Sequence, residues 1–466
     1  MHLDRSPGGH RSHLREGVLT ADLSVTRVDT STADPTPLFV DAGLERGADG
    51  LLRAGGVSLE AIAKDVGTPA FVYHAAPIRE RYQTLTTAFA AIPHRIHYAA
   101  KANSNLAVLA MLGKLGAGAD IVSAGELARV LKAGIPADRV VFSGVGKSEA
   151  ELATAVDARI GAINLESPEE LTVLERVVAG RSIDAPVRLG IRVNPDVAAE
   201  THPYITTGAS GIKFGVPTDQ VPGLVRRIAA NPRFVLVSLA MHLGSQLLRP
   251  EPFARGAAVL VEMLTRLRES GIRTIEALDL GGGLGIRYRD ETPLDPAVLA
   301  AAVAPVVADA GVSIHLEPGR FLVGSAGVLL TKVLYRKRSG GKNFVIVDAA
   351  MTDLVRPSHY QAYHAIVEVT TRGRETQIAD VVGPVCETGD FLALDRAIAT
   401  VEPGEYLAIL CAGAYGAVMS SNYNSRPRAA EVVVDRGRYG IARARETVTD
   451  LYRGETVDPF TSSRAS

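Results

Sequence analysis

The chain has 466 residues, 47% of them hydrophobic and 22% charged, with a formal net charge of -1. That length exceeds one compact core and implies two domains, or three. The balanced charge argues against a nucleic-acid-binding or polybasic membrane surface, and no apolar run is long enough to span a bilayer.

Residues 1–30 are polar, with Gly8-Gly9 and scattered His and Arg. They lack the apolar segment of an export signal and read as a mobile tail. The stretch from Leu38 to Leu52, with Gly55-Gly56, shows no helical period and is expected to add a strand or two to a β domain built mainly further on. From 65 to 330, short Val-, Ile- and Leu-rich segments alternate with longer stretches of helical period. Strands are expected at 95–100, 119–123, 139–143, 161–166, 187–194, 235–243, 277–281 and 312–317. Eight βα units point to a closed parallel (β/α)8 barrel. An open doubly wound sheet would carry its glycine-rich turn after the first strand. Past 330 the texture changes to segments at 342–348, 374–381, 406–410 and 430–434 joined by Gly, Pro and Asn turns. Residues 31–64 and 331–466 are therefore expected to form a mostly antiparallel β domain.

Polar residues fall at telling places on these strands. The first strand ends in Lys101, flanked by small alanines that leave room for something flat beside its amine, and Asn103 or Ser104 would cap the helix that follows. An isolated lysine at such a junction is usually a surface residue. In a partly apolar barrel mouth, however, its pKa would fall and free the amine for a Schiff base. Asp120 lies in the second strand, with Glu126 shortly beyond it. His242 ends the sixth, Gly281-Gly-Gly-Leu-Gly285 follows the seventh, and Glu317-Pro-Gly-Arg320 ends the eighth. The glycines alone read equally well as a tight turn or a phosphate cradle, and a single histidine is more often structural. Together, an amine, a cradle, a flat imidazole and a carboxylate fixed by Pro318-Gly319 describe a pyridoxal phosphate site. A carboxylate against the pyridine nitrogen keeps it protonated and favours decarboxylation; a racemase on this barrel would be expected to place an arginine there. The two cysteines, Cys386 and Cys411, make no disulfide framework, lack a second Cys or His at metal-ligand spacing, and fit a cytoplasmic setting.

Tyr98-Ala-Ala-Lys-Ala-Asn103, His242-Leu-Gly-Ser245, Gly281-Gly-Gly283, Glu317-Pro-Gly-Arg320, Gly383-Pro-Val-Cys-Glu387 and Ala414-Tyr-Gly416 resemble the fold-type III pyridoxal phosphate decarboxylases. Within these, Arg356-Pro-Ser-His-Tyr-Gln-Ala-Tyr363 and Ser420-Ser-Asn-Tyr-Asn-Ser-Arg-Pro-Arg428 resemble the bacterial diaminopimelate decarboxylases, over residues 58–445 or so. The resemblance implies decarboxylation of meso-2,6-diaminopimelate to L-lysine and carbon dioxide, the last step of lysine synthesis, through an aldimine on Lys101 and a quinonoid. It implies a homodimer with shared sites. His242 would stack on the ring and Glu317 pair with its nitrogen. Gly281, Gly282, Gly283, Ser245 and Tyr415 would hold the phosphate, with Asp120, Gly319 and Arg320 completing the cofactor site. Cys386 of the partner subunit would deliver a proton, and an unperturbed thiol with a pKa of about 8.5 is largely protonated at neutral pH. Cys411, after Ala408-Ile-Leu410, reads as apolar filler.

Arg320, Arg356 and Tyr360 would meet the substrate's distal carboxylate, which suits guanidinium forks better than lysines, and Tyr415 would also line the substrate site. Glu387 would take the distal ammonium. Ser358-His359, Thr388 and the turn Ala209-Ser-Gly211 depart from the family's usual residues and bear on fine specificity. Arg356 separates this reading from a decarboxylase of ornithine, lysine, arginine or a carboxylated polyamine. Retention of both Lys101 and Cys386 argues against an inactive binding regulator.

Overall fold

Eight short strands form the centre of the molecule: β1 (His94–Ala99), β2 (Gly118–Ile121), β3 (Val140–Phe142), β4 (Ala162–Leu165), β5 (Val187–Asn194), β6 (Phe234–Ala240), β7 (Ala277–Asp279) and β8 (Ser313–Leu316). Each overlaps the segment expected for it, and β5 coincides with it. Neighbours pair in parallel from β5 through β6, β7, β8, β1, β2 and β3 to β4, which pairs back onto β5, so the sheet closes into a barrel. The computed structural model describes residues 34–197 and 213–460. The expected tail at 1–30 and the turn at 209–211 lie outside them.

Alternation along each strand decides what the barrel holds. Tyr98, Ala119, Ile121, Phe142, Ile163, Leu165, Leu189, Ile191, Leu239 and Leu278 are buried and belong to the main hydrophobic core. The other face is different in kind. Register places Ala99 beside Asp120, Asp120 beside Val141, Asn164 beside Gly190, Arg192 beside Ala240, and Asp279 beside both Ala240 and His315. Where barrel interiors are usually filled by branched aliphatics, this one is lined by buried polar groups separated by glycine and alanine. The polar residues converge where the strands end, which is where the site lies.

Helices flank the barrel, and several begin at side-chain caps the sequence specifies. Ser123 accepts from the Glu126 amide at 3.2 Å, Ser148 and Glu151 form a reciprocal capping box, and Asp295 accepts from Ala297 at 2.7 Å. The helix after Lys101 (Leu106–Lys114) is capped by Asn105, whose Oδ1 accepts from Ala107 at 2.9 Å, and not by Asn103 or Ser104. Asn103 is occupied elsewhere. Its Oδ1 accepts from the Asn105 amide and its Nδ2 reaches the Gly413 carbonyl at 3.0 Å, in the second domain. Only a short helix, Arg320–Val323, follows β8. The helix Ala75–Ala88, which precedes β1, packs against it, against Pro296–Val307 and against Leu106–Lys114, and so completes the ring.

The second sheet is mixed and mostly antiparallel. Its spine is the strand Gly327–Ser339, paired with Lys342–Val347, Tyr406–Ile409 and Ala70–His74. Ala70–His74, which the sequence reading assigns to the barrel segment, pairs in this sheet, between the spine and Ala430–Asp435. Leu38 lies in a helix, Thr36–Ala42, and Leu44–Arg46, Leu52–Ala54 and Val57–Ser58 form a small separate sheet bridged to Thr370 through Leu51. Among the described residues no helix is long and apolar enough to cross a membrane.

Candidate active site

Lys101 sits in a single 3-10 turn, Ala100–Ala102, directly after β1. Its Nζ donates to Asp120 Oδ2 at 2.8 Å; Asp120 is fully buried, while 32% of the lysine side chain stays open to the pocket. The expected fall in the lysine's pKa is not what the surroundings produce. Burial does oppose its charge, but the Asp120 carboxylate above all, with Glu317 and Tyr415 beside it, outweighs burial and holds the ammonium above its ordinary value. Asp120 Oδ1 is buried with no hydrogen-bond partner among the described residues. Glu126 accepts from the Val122 amide at 2.7 Å, and burial pushes its carboxyl up to about 7.

The glycine run threads between strand ends. A Cβ on Gly281, Gly282 or Gly283 would run into the carbonyl oxygens of Met241, Glu317 and Gly244 respectively, so the close approach itself excludes side chains. Two of the three amides already have protein acceptors. Gly281 donates to Asp279 Oδ1 at 2.8 Å and Gly282 to His242 Nδ1 at 3.2 Å, which fixes the imidazole with its proton on Nε2. Burial, with Lys101 and Arg192 nearby, pushes the His242 pKa well down, so the ring is neutral. Glu317 donates its amide to the Gly281 carbonyl at 2.8 Å, and Ser143 Oγ lies 3.4 Å from its Oε1. Its carboxyl is pushed well up by burial and then by Asp120 and Asp279. Burial also pushes its neighbour Asp279 up, to about 7, against the amide hydrogen that Asp279 accepts from Gly281. Gly319 packs tightly behind Lys101, where a Cβ would meet those of Ala102 and Ala99.

A second cluster adjoins the first. Arg320, buried, donates from Nη2 to Ser245 Oγ at 3.0 Å and lies over the Tyr415 ring at 5.0 Å. Its Nη1 donates to Tyr288 Oη, and Arg356 Nη1 donates to the same oxygen at 2.7 Å. Arg356 also donates to His364 Nε2 at 3.1 Å, and His364 Nδ1 donates to the Leu410 carbonyl at 2.8 Å. Among the described residues neither arginine is ion-paired with a carboxylate. Tyr360, on the same short helix as Arg356, is close enough to influence Arg320. His359 is exposed and packs edge-on against Tyr360 at 4.5 Å, and Ser358 bonds the Val355 carbonyl at 3.0 Å. Tyr415 arrives from the second domain, its amide donating to the Ala102 carbonyl at 2.8 Å.

Cys386 and Glu387 are exposed, as is Thr388. Their loop is well built: Asp390 accepts from Met351 at 2.6 Å and Val385 at 2.7 Å, and the Cys386 amide donates to Asn424 at 2.8 Å. Cys411 is buried, its thiol pushed up to about 12 by burial, in keeping with a filler.

Sequence reading missed Asp279, Ser143, Asn164, Arg192, Tyr288 and His364. For all but the last two there was a signal: a polar residue in or beside an apolar strand, in phase with Asp120 or Glu317. A cavity of about 170 Å³, lined by Lys101, Ser143, Asn164, Arg192, Phe214, His242 and Glu317, occupies the barrel mouth. Another of about 490 Å³ opens from Lys101 between Glu126 and residues 417–420. An amine on a buried carboxylate, a second buried acid beside it, a neutral flat ring and a glycine cradle are the complement that pyridoxal phosphate requires, and the group fits the residues present.

Residues 75–324 match the family model described as the pyridoxal-binding domain of pyridoxal-dependent decarboxylases. The chain is 48% identical over 411 residues to the diaminopimelate decarboxylase of Pseudomonas aeruginosa, covering 88% of this chain and 98% of that one. It is also 48% identical over 400 residues to that of Aquifex aeolicus, covering 85% and 94%. The crystal structure of the Helicobacter pylori diaminopimelate decarboxylase complexed with L-lysine superposes with a TM-score of 0.81 at 39% identity, covering 84% of this chain and 98% of that one.

Proposed function

We infer the function from one premise: the chain belongs to the pyridoxal-dependent decarboxylases and, within them, to the diaminopimelate decarboxylases. It decarboxylates diaminopimelate to lysine and carbon dioxide with pyridoxal phosphate, in lysine biosynthesis. When bound, the cofactor supplies an electron-poor ring that takes up the electron pair freed as the carboxylate leaves.

The protein's own groups divide the remaining work. Lys101 carries the cofactor, its amine aligned by Asp120. Glu317, whose carboxyl burial pushes well up, would pass its proton to the ring nitrogen and face it as the carboxylate. His242, neutral and fixed by the Gly282 amide, would cover one face of the bound ring. Ser245, Tyr415 and the stretch Gly281 to Gly283 line the phosphate end, closed off by Gly319 and Arg320. Arg320, Arg356 and Tyr360 receive the distal carboxylate of the substrate, and Tyr415 also lines the substrate site. Cys386 of the partner subunit delivers a proton to the carbon that has lost its carboxylate, and Glu387 of the partner subunit accepts the distal ammonium. The exposure of this loop, none of whose residues lines either cavity that Lys101 lines, supports a homodimer with shared sites. The cysteine usage supports a cytoplasmic setting.

The observation that carries the substrate assignment is the pair of buried guanidinium groups, Arg320 and Arg356, that meet no protein carboxylate among the described residues. A distal carboxylate supplies the counter-charge that such a buried pair needs; the distal amine of ornithine or lysine does not. The test is to incubate purified protein and pyridoxal phosphate with diaminopimelate, lysine, ornithine and arginine, and to measure carbon dioxide. Release from diaminopimelate alone is expected. Faster release from a plain diamine precursor overturns the reading.

A further inference from the structure

We propose that Tyr288 is a positioning residue that locks Arg320 and Arg356 into one receptor for a single planar carboxylate. This rests on the reading that the two arginines hold the distal carboxylate, and deepens it. Two buried guanidinium ions repel each other, and with no carboxylate between them the chain must hold them together some other way. Tyr288 does so with one atom. A phenol oxygen has two lone pairs and one hydrogen, and here it accepts from Arg320 Nη1 and from Arg356 Nη1 at 2.7 Å. The ring adds its face: the guanidinium carbons of Arg320 and Arg356 lie 5.6 and 4.7 Å from its centroid.

The phenol is itself held firmly. It is 6% exposed, its amide donates to Glu291 Oε2 at 2.9 Å, and its ring meets His364 edge-on at 5.4 Å. His364 is in turn oriented by the Leu410 carbonyl and accepts from Arg356, so that guanidinium is gripped from two sides. With both lone pairs taken, the Tyr288 O–H meets no acceptor among the described residues. It stands as a third donor beside the two cations. Such a group selects a planar anion over a neutral or cationic end. A residue acting only as apolar packing would need the ring and not the hydroxyl.

The test uses the full-length holoenzyme and two inhibitors that differ by one carboxylate, L-lysine and 1,5-diaminopentane. In Tyr288→Phe, the KM for diaminopimelate and the inhibition constant for L-lysine should rise about tenfold, the loss of one charge-assisted contact. The kcat and the constant for 1,5-diaminopentane should stay within about twofold of the parent, because neither senses the distal carboxylate. Tyr288→Gln, whose amide oxygen can accept from both arginines, should recover part of the preference for L-lysine. Equal losses on both inhibitors, no loss on either, or a Gln variant that behaves like Phe each overturn the proposal. Arg356→Ala is run beside them. If it keeps the preference for L-lysine, the reading of the arginines has failed. If it loses that preference while Tyr288→Phe keeps it, only the role of Tyr288 has.

Discussion

Arg356 and Asp353 stand three positions apart and are buried alike, yet they answer to opposite costs. Among the described residues Arg356 has only neutral partners, Tyr288 and His364, so on the proposed reading an arriving carboxylate would be bound in a desolvated place where a fork counts for more than in water. Arg356→Ala should lower kcat/KM for diaminopimelate by about ten- to a hundredfold. Arg356→Lys should recover it only in part. Any activity on lysine or ornithine should hardly change, and steady-state assays on the three substrates check this. Asp353 instead escapes its charge: burial pushes its carboxyl up to about 7, against the Ala350 amide that it accepts at 2.9 Å. A raised folded pKa means that its contribution to stability is whole below the ordinary aspartate range and is lost as pH rises through about 7. Asparagine keeps the acceptor and never ionises. Asp353→Asn should therefore gain in Tm relative to the parent between pH 5 and pH 8.5, read by thermal melts across that range; a difference independent of pH would show that Asp353 is not the titrating group.

At the scale of the element, the glycine turn after β7 joins three strand ends at once. Gly282→Ala would press a methyl group onto the Glu317 carbonyl and shift the carboxylate behind it. Overpacking of this kind costs about 1–3 kcal/mol, so pyridoxal phosphate should bind about tenfold or more weakly, measured by absorbance titration of the cofactor-free protein. The barrel strands were legible because each is a short apolar segment between turn residues, with a long amphipathic stretch before the next. Gly327–Ser339 was not, because its first half is buried on both faces and shows no alternation. Ala70–His74 looks like a barrel strand for the same reason: all five residues are buried, and nothing local says which sheet they join. Lys101, His242 and Glu317 could be found because they end barrel strands. Tyr288 and His364 could not. They lie in irregular segments, and only the tertiary fold shows that both reach Arg356.

For the whole molecule, the proposed site shared between subunits predicts that two different defects rescue each other. Lys101→Ala and Cys386→Ala should each be nearly inactive alone. Mixed with subunit exchange, they should recover up to about a quarter of parent activity, since half the dimers form one intact site. A mixture that stays inactive despite proven exchange refutes the shared site. The strand Ala70–His74 carries a further consequence, for how the protein is made. Tyr73 donates its hydroxyl to Glu431 at 2.7 Å, from 358 residues away. On a ribosome this apolar segment emerges early, and its neighbours Gly327–Ser339 and Ala430–Asp435 emerge much later. Until then it is an unpaired hydrophobic edge of the kind that aggregates or recruits chaperones. The vulnerable interval in the life of this chain is thus its own synthesis, and it closes only when nearly the last strand has left the exit tunnel.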